Sequence, residues 1–141
     1  MSTLANVLAK TPHARLQQNM TMAYFFVAMT VLLTVLGQFL IKWQVRLAGA
    51  LPDSTIGKVH FIGGLMLRPW VLTGLAAAFV ASLCWMLAMT RLPLSHAYPF
   101  TAAAFVLVVF GGAWLFSEPL GTLRIVGVGL IVAGVILTGL K

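Results

Sequence analysis

Carboxylates are almost missing from this sequence. Asp53 and Glu118 are the only acids in 141 residues, against nine Lys and Arg. Catalysis by paired acids needs two carboxyl groups held together. Both acids here fall in expected loops, so an enzyme is not expected. Cysteine is nearly absent as well. Cys84 stands alone inside an apolar run, which excludes an intrachain disulfide and a Cys-based metal site and reads as a small buried residue. The histidines, His13, His60 and His96, lie far apart without ligand spacing, so no metal and no cofactor is implied. Charge of either sign is scarce, at 8% of residues where a soluble domain carries roughly 25%. With 61% of residues hydrophobic, too few polar side chains remain to cover a water-facing surface. Lipid is the solvent that fits. The formal net charge of +7 comes from basic residues scattered at expected helix ends, with no aromatic-interleaved patch. That pattern argues for anionic lipid head groups and against nucleic acid.

A cleavable signal peptide is also not expected. The first apolar run begins only at Met22 and is too long for a signal core, so it reads as a retained helix. Residues 1–21 read as an N-terminal arm, interfacial or loosely ordered, with Pro12 limiting any short helix. Met22–Ile41 is twenty residues without a charge, or about 30 Å of helix. Pro69–Thr90, Ser95–Phe116 and Gly121–Leu140 repeat the pattern, so four spans are predicted (about 22–41, 69–90, 95–116 and 121–140) in one membrane domain over 22–141. The tight links Arg91–Leu94 and Ser117–Leu120 make the last three spans antiparallel neighbours. The long connection Lys42–Arg68 holds the turn signal Pro52-Asp53-Ser54 and then an apolar segment, Ile56–Leu67, suited to an interfacial helix. The fold class expected is an all-α membrane protein, a four-helix bundle.

Four spans divide the basic residues almost evenly. Lys10, Arg15, Arg91 and Lys141 fall on one side, and Lys42, Arg46, Lys58, Arg68 and Arg124 on the other. The positive-inside rule therefore fixes no orientation. Subunits that insert both ways and pair antiparallel would show this balance, as would a chain oriented by a partner. The last span is rich in small residues. Gly129/Ala133 and Gly134/Thr138 are small-xxx-small pairs, which suit close helix packing within one subunit or between two. Gly129, Ala133 and Gly134 are accordingly candidate dimer-interface residues.

In the first span Thr30, Thr34, Gln38, Lys42 and Arg46 recur every four residues, a slowly winding polar stripe. Gln38 stands out, because a buried amide needs partners. Lys42 and Arg46 read either as interfacial anchors or as the positive end of a polar groove fit for a phosphate. In the third span His96-Ala97-Tyr98-Pro99 marks a kink, since Pro99 leaves a carbonyl unbonded one turn back. Tyr98 fits a belt aromatic or a ligand contact equally. Trp43, Trp70, Trp85 and Trp114 read mostly as interface belt. Ser117-Glu118-Pro119 reads as a helix start with an acid in its first turn.

These residues carry a family resemblance. Gly37-Gln38-Phe39-Leu40-Ile41-Lys42, Leu94-Ser95-His96-Ala97-Tyr98-Pro99, Ser117-Glu118-Pro119-Leu120 and Gly127–Val135 occur in the order found in small four-helix members of the drug/metabolite transporter (EamA-like) superfamily. The resemblance covers about Ala23 to Leu140. It is most similar to the aminoarabinose-phosphoundecaprenol flippase subunit type, and is related to the small multidrug resistance exporters. Those exporters carry a glutamate in the first helix, where this chain has Thr34, which argues against proton-coupled export of cationic drugs. The Lys42–Arg68 connection is longer than the family pattern, and the N-terminal arm is additional.

The resemblance implies a flippase for a polyprenyl-phosphate-linked sugar in the bacterial inner membrane. Its substrate would be bound by Thr34, Gln38, Lys42, Arg46, His96 and Tyr98, and it would act as a homodimer or as a heterodimer with a related subunit. The alternatives are a small-molecule exporter of the multidrug type and a non-transporting partner subunit of a membrane complex.

Overall fold

The computed structural model describes residues 12–139, and the expected arm over residues 1–11, with Lys10, and the last two residues, with Lys141, lie outside them. Six helices follow one another along the described chain: α1 Pro12–Ala48, α2 Thr55–Met66, α3 Pro69–Met89, α4 Leu94–Thr101, α5 Ala103–Phe116 and α6 Thr122–Gly139. The stretches Gln17–Ala48, Pro69–Met89 and Leu94–Phe116 are long and apolar enough to cross a membrane. At 18 residues, α6 is shorter but equally apolar in character.

Local chemistry accounts for the boundaries. Helix α1 is in place from Pro12, the first described residue, and the expected limit that Pro12 sets on a short helix before it lies outside the described residues. The helix runs through residues 12–21, the second half of the stretch read as an interfacial or loosely ordered arm. Gly49, at φ 85°, ends it in the left-handed conformation that glycine adopts freely. Ser54 caps α2, its Oγ accepting from the Gly57 N–H at 3.1 Å. Pro69 stands in the first turn of α3. Pro99 interrupts the third span: the helix pauses at Ala102, whose N–H donates to the Pro99 carbonyl at 3.2 Å, so that α4 and α5 are two segments of one crossing.

The chain folds on α1. Packed antiparallel to it is α3, with Trp43 against Trp70 at one end (ring centroids 5.8 Å apart). At the other end Ala23, Val27, Ala88, Leu92 and Ala97 form the buried cluster, backed by Phe26, Trp85 and Met89. Midway the two backbones nearly touch. A Cβ built on Gly37 would lie 2.8 Å from the Gly74 carbonyl oxygen. Thr30 adds a polar contact, its Oγ1 lying 2.9 Å from the Phe26 carbonyl and 3.2 Å from the Ala81 carbonyl of α3. Its one proton serves both acceptors and costs α3 nothing. Along the other side of α1, α4 and α5 run parallel to it, with Tyr24 against Phe100 (5.3 Å) and Phe39 against Phe116 (6.0 Å). Helix α6 turns back beside α4 and α5 and leaves most of its surface exposed, with Val128 its one buried hydrophobic residue among those described.

The Gly37–Gly74 contact is made by main chain on both sides and yields a test. Gly37→Ala places a methyl group against main chain, which cannot swing away, and should destabilise the protein by about 1–3 kcal/mol. Gly63→Ala, in α2 with nothing within 4 Å of the new methyl, should be neutral or stabilise by about 0.5–1 kcal/mol. Thermal unfolding of the two variants in the same detergent makes the comparison.

Candidate functional site

The stripe on α1 does not stay on one side of the helix. At 100° per residue, four-residue steps drift by about 40° each, so its two ends face different neighbours. Thr30 faces α3. Thr34 is half-buried, and Gln38 is exposed. Lys42 and Arg46 reach α5 and the turn after it. The Lys42 ammonium pairs with Glu118 Oε1 and lies 5.0 Å from the centre of the Phe116 ring, a cation–π contact. Arg46 Nη1 donates to the Phe116 carbonyl at 3.1 Å. That carbonyl ends α5, so the guanidinium meets the negative end of the helix dipole. Arg124, in the first turn of α6, brings Nη1 to 3.7 Å from Glu118 Oε2. Two cations thus flank one carboxylate, with Arg46 on the carbonyl two residues before it, and the group keeps an excess of positive charge.

Glu118 does not have the place the sequence suggested. It was expected in the first turn of the last helix, but α6 begins only at Thr122. There the Gly121 carbonyl accepts from the N–H groups of Arg124 and Ile125, and no acid lies in the first turn. The chain leaves α5 through Ser117 in a left-handed conformation, φ 54° and ψ 38°, which turns the next residue back over α5. Gly112 lies beneath, and a Cβ there would come within 3.2 Å of Glu118 Oε2. The side chain is about one-third exposed and that of Lys42 44% exposed, so the pair contributes no more than roughly 0–1 kcal/mol. The sequence holds one signal for it. With so few acids, a carboxylate beside the basic end of the first span has few rivals.

The buried amide of α1 is Gln44, not Gln38. Gln44 faces α3, where Arg68 Nη1 donates to its Oε1 at 3.3 Å, tying the end of α1 to the start of α3. The remaining residues singled out by sequence fall into separate places. Tyr98 packs edge-on against Trp85, with centroids 5.5 Å apart. Both line a cavity of about 240 Å³ with Thr30, Thr34 and Thr101. Trp85 is therefore half-buried in the bundle and not a belt residue. His96 lines a different recess, of about 480 Å³, with Tyr24, Ser95 and Thr138. Tyr24 and Lys42 are 18 residues apart on one helix, or about 27 Å, so His96 and Lys42 stand at opposite ends of the bundle. Between α1 and α4–α5 an apolar cleft of about 570 Å³, lined by Val27, Ala28, Val31, Leu32 and Phe100 among others, opens sideways. On α6, Gly129, Ala133 and Gly134 are exposed, and a Cβ on either glycine would meet nothing within 4 Å.

Helices of membrane-crossing length, no acid within any of them, a lateral apolar cleft and a basic cluster at one helix end define a small multi-pass membrane protein of the transporter-bundle class. Within that class the chain belongs to the aminoarabinose-phosphoundecaprenol flippase subunit family. It is 36% identical over 113 residues to the probable 4-amino-4-deoxy-L-arabinose-phosphoundecaprenol flippase subunit ArnE of Pseudomonas aeruginosa, a match covering 78% of this chain and 90% of the relative. To the probable flippase subunit ArnF of Erwinia tasmaniensis it is 35% identical over 122 residues, covering 82% and 93%. An ArnE of Pseudomonas paraeruginosa is 35% identical over 113 residues, covering 78% and 90%. Neither a protein-family model nor a solved structure matches the chain.

Arg68→Ala should leave the Gln44 amide buried without its donor and lower stability by about 1–3 kcal/mol. Adding Gln44→Leu removes the orphaned group and should recover most of that loss. Unfolding midpoints of the single and double variants in detergent read the difference.

Proposed function

We propose that this chain is a subunit of a flippase that moves a polyprenyl-phosphate-linked aminosugar across the bacterial inner membrane. The observation that carries the reading is the basic cluster of Lys42, Arg46 and Arg124 at the end of a polar stripe, in a chain whose relatives are named as subunits of such a flippase. A phosphate leaving water needs charge-assisted donors, and this cluster offers them at one end of the bundle, while the lateral cleft along Val27–Leu32, nearer the other end, can keep a polyprenyl tail in contact with lipid. Gln38, exposed on the same stripe, and the Thr34–Tyr98 cavity provide polar contacts deeper in the bundle. His96 supplies a contact at the far end, so the six residues form a path more than a single pocket.

Lys42→Ala should lower flipping by about tenfold or more, the effect of losing one charge-assisted bond of roughly 1.5–3 kcal/mol. Lys58→Ala, in α2 and exposed, should leave flipping nearly unchanged. Reconstituted vesicles with the labelled glycolipid measure both at matched protein content. Equal rates would reduce Lys42 to an interface anchor.

The same reading includes a partner subunit, either a second copy or a related chain, docked on the exposed small-residue face of α6. Gly129, Ala133 and Gly134 leave that surface flat, which allows close approach of another helix. Gly129→Leu should reduce the dimer fraction in detergent severalfold. A Cβ at Gly129 meets nothing within 4 Å among the described residues, so an unchanged fraction would move the interface elsewhere. Cross-linking the chain alone, and then with a related subunit, separates homodimer from heterodimer.

A further inference from the structure

Glu118 presents two oxygens, and each meets a different cation: Oε1 pairs with Lys42, and Oε2 lies 3.7 Å from Arg124. A phosphodiester has the same outline to a cationic site, one negative charge spread over two free oxygens. The carboxylate and a phosphodiester head group are therefore alternative occupants of one seat. If the phosphodiester takes it, Glu118 loses both of its ion-pair partners, and a cation brought in with the head group would give it a new one. The head group that the relatives' names describe supplies one. A 4-amino-4-deoxysugar carries an aliphatic amine, the kind of group that is protonated near neutral pH.

Resting on the flippase reading, we propose that Glu118 is the specificity-determining residue for the head-group ammonium. In the empty protein its carboxylate stands in for the substrate phosphodiester on Lys42 and Arg124. In the loaded protein it pairs with the sugar's ammonium. The exchange replaces one internal ion pair and one zwitterion with two cross pairs, so net charge is conserved and no proton moves. Three features of the turn suit this swap. The ion pair is partly exposed and cheap to open. Gly112 leaves the space beneath the carboxylate free of any side chain. Left-handed Ser117 and ring-locked Pro119 flank Glu118, so its backbone is held while its side chain turns. The other acid, Asp53, makes no ion pair among the described residues.

The test measures binding of two probes to the full chain in nanodiscs: a short-chain prenyl phosphodiester of 4-amino-4-deoxyarabinose, and the same molecule with its amine acetylated. The wild type should prefer the free amine by roughly tenfold, the value of one charge-assisted contact. Glu118→Gln should bring the ratio close to one while holding the acetylated probe as tightly as before or more tightly, because the internal competitor has gone. Glu118→Asp should keep part of the preference. Equal binding of both probes to the wild type overturns the proposal, as does an undiminished preference in Glu118→Gln or loss of both probes from a folded Glu118→Gln protein. Should that variant not fold, Glu118→Asp decides, and an unchanged ratio overturns the proposal. If neither probe binds the wild type, the flippase reading itself fails and this proposal falls with it.

Discussion

Everything in this bundle is arranged around the near-contact of two backbones at Gly37 and Gly74. In lipid, apolar side chains gain little by leaving one hydrocarbon surface for another, so helices associate by packing closely. Two glycines facing each other permit that closeness, and it fixes the rotation of α1 about its own axis. Thr30 then meets the Ala81 carbonyl, and Gln44 meets Arg68. Ala23, Thr30, Gly37 and Gln44 stand seven residues apart and share one face, drifting only about 20° per step. This seam belongs to α3. What remains of the circumference is divided between lipid, α4 and α5, and the basic cluster.

The helices and their order were legible because apolar runs of membrane length leave little choice. The polar stripe was legible too, but its partner was not. The four-residue series and the seven-residue seam cross at Thr30, and the sequence marks both without saying which one is buried. That explains the exchange of roles between Gln38 and Gln44. The two lie six residues apart, about 240° around the helix, so only one amide can face α3. Helix phase decides which, and phase depends on a glycine contact between residues 37 positions apart. Glu118 escaped for a different reason. Ser-Glu-Pro is a good local signal for a helix start, but the left-handed serine moves the start to Thr122 and frees the carboxylate for a partner 76 residues earlier. His96 and Lys42 form one substrate set in the resemblance although the expected topology already puts them on opposite sides of the membrane, and the parallel course of α1 and α4 keeps them there.

The small residues illustrate the same division. The sequence is richest in them along α6, and a search for close packing begins there. Within the described chain the close approach is made by α1 and α3 instead, while Gly129 and Gly134 meet no neighbour. Small residues thus mark where approach is permitted. Whether it happens inside one subunit is settled by the rest of the contact surface.

The length of α1 has a mechanical consequence. The helix Gln17–Ala48 has 32 residues, about 48 Å, of which only the charge-free run Met22–Ile41 matches a hydrocarbon layer of about 30 Å. Tilting absorbs part of the surplus, yet even a 40° lean leaves about 37 Å along the membrane normal. The helix must therefore emerge by a turn or more. With Trp43 and Trp70 paired near that end, the emerging part includes Lys42 and Arg46. Their depth is then set by mismatch between a rigid rod and a soft sheet, and a thinner or thicker bilayer raises or lowers the charged end against the head groups like a float on a changing waterline.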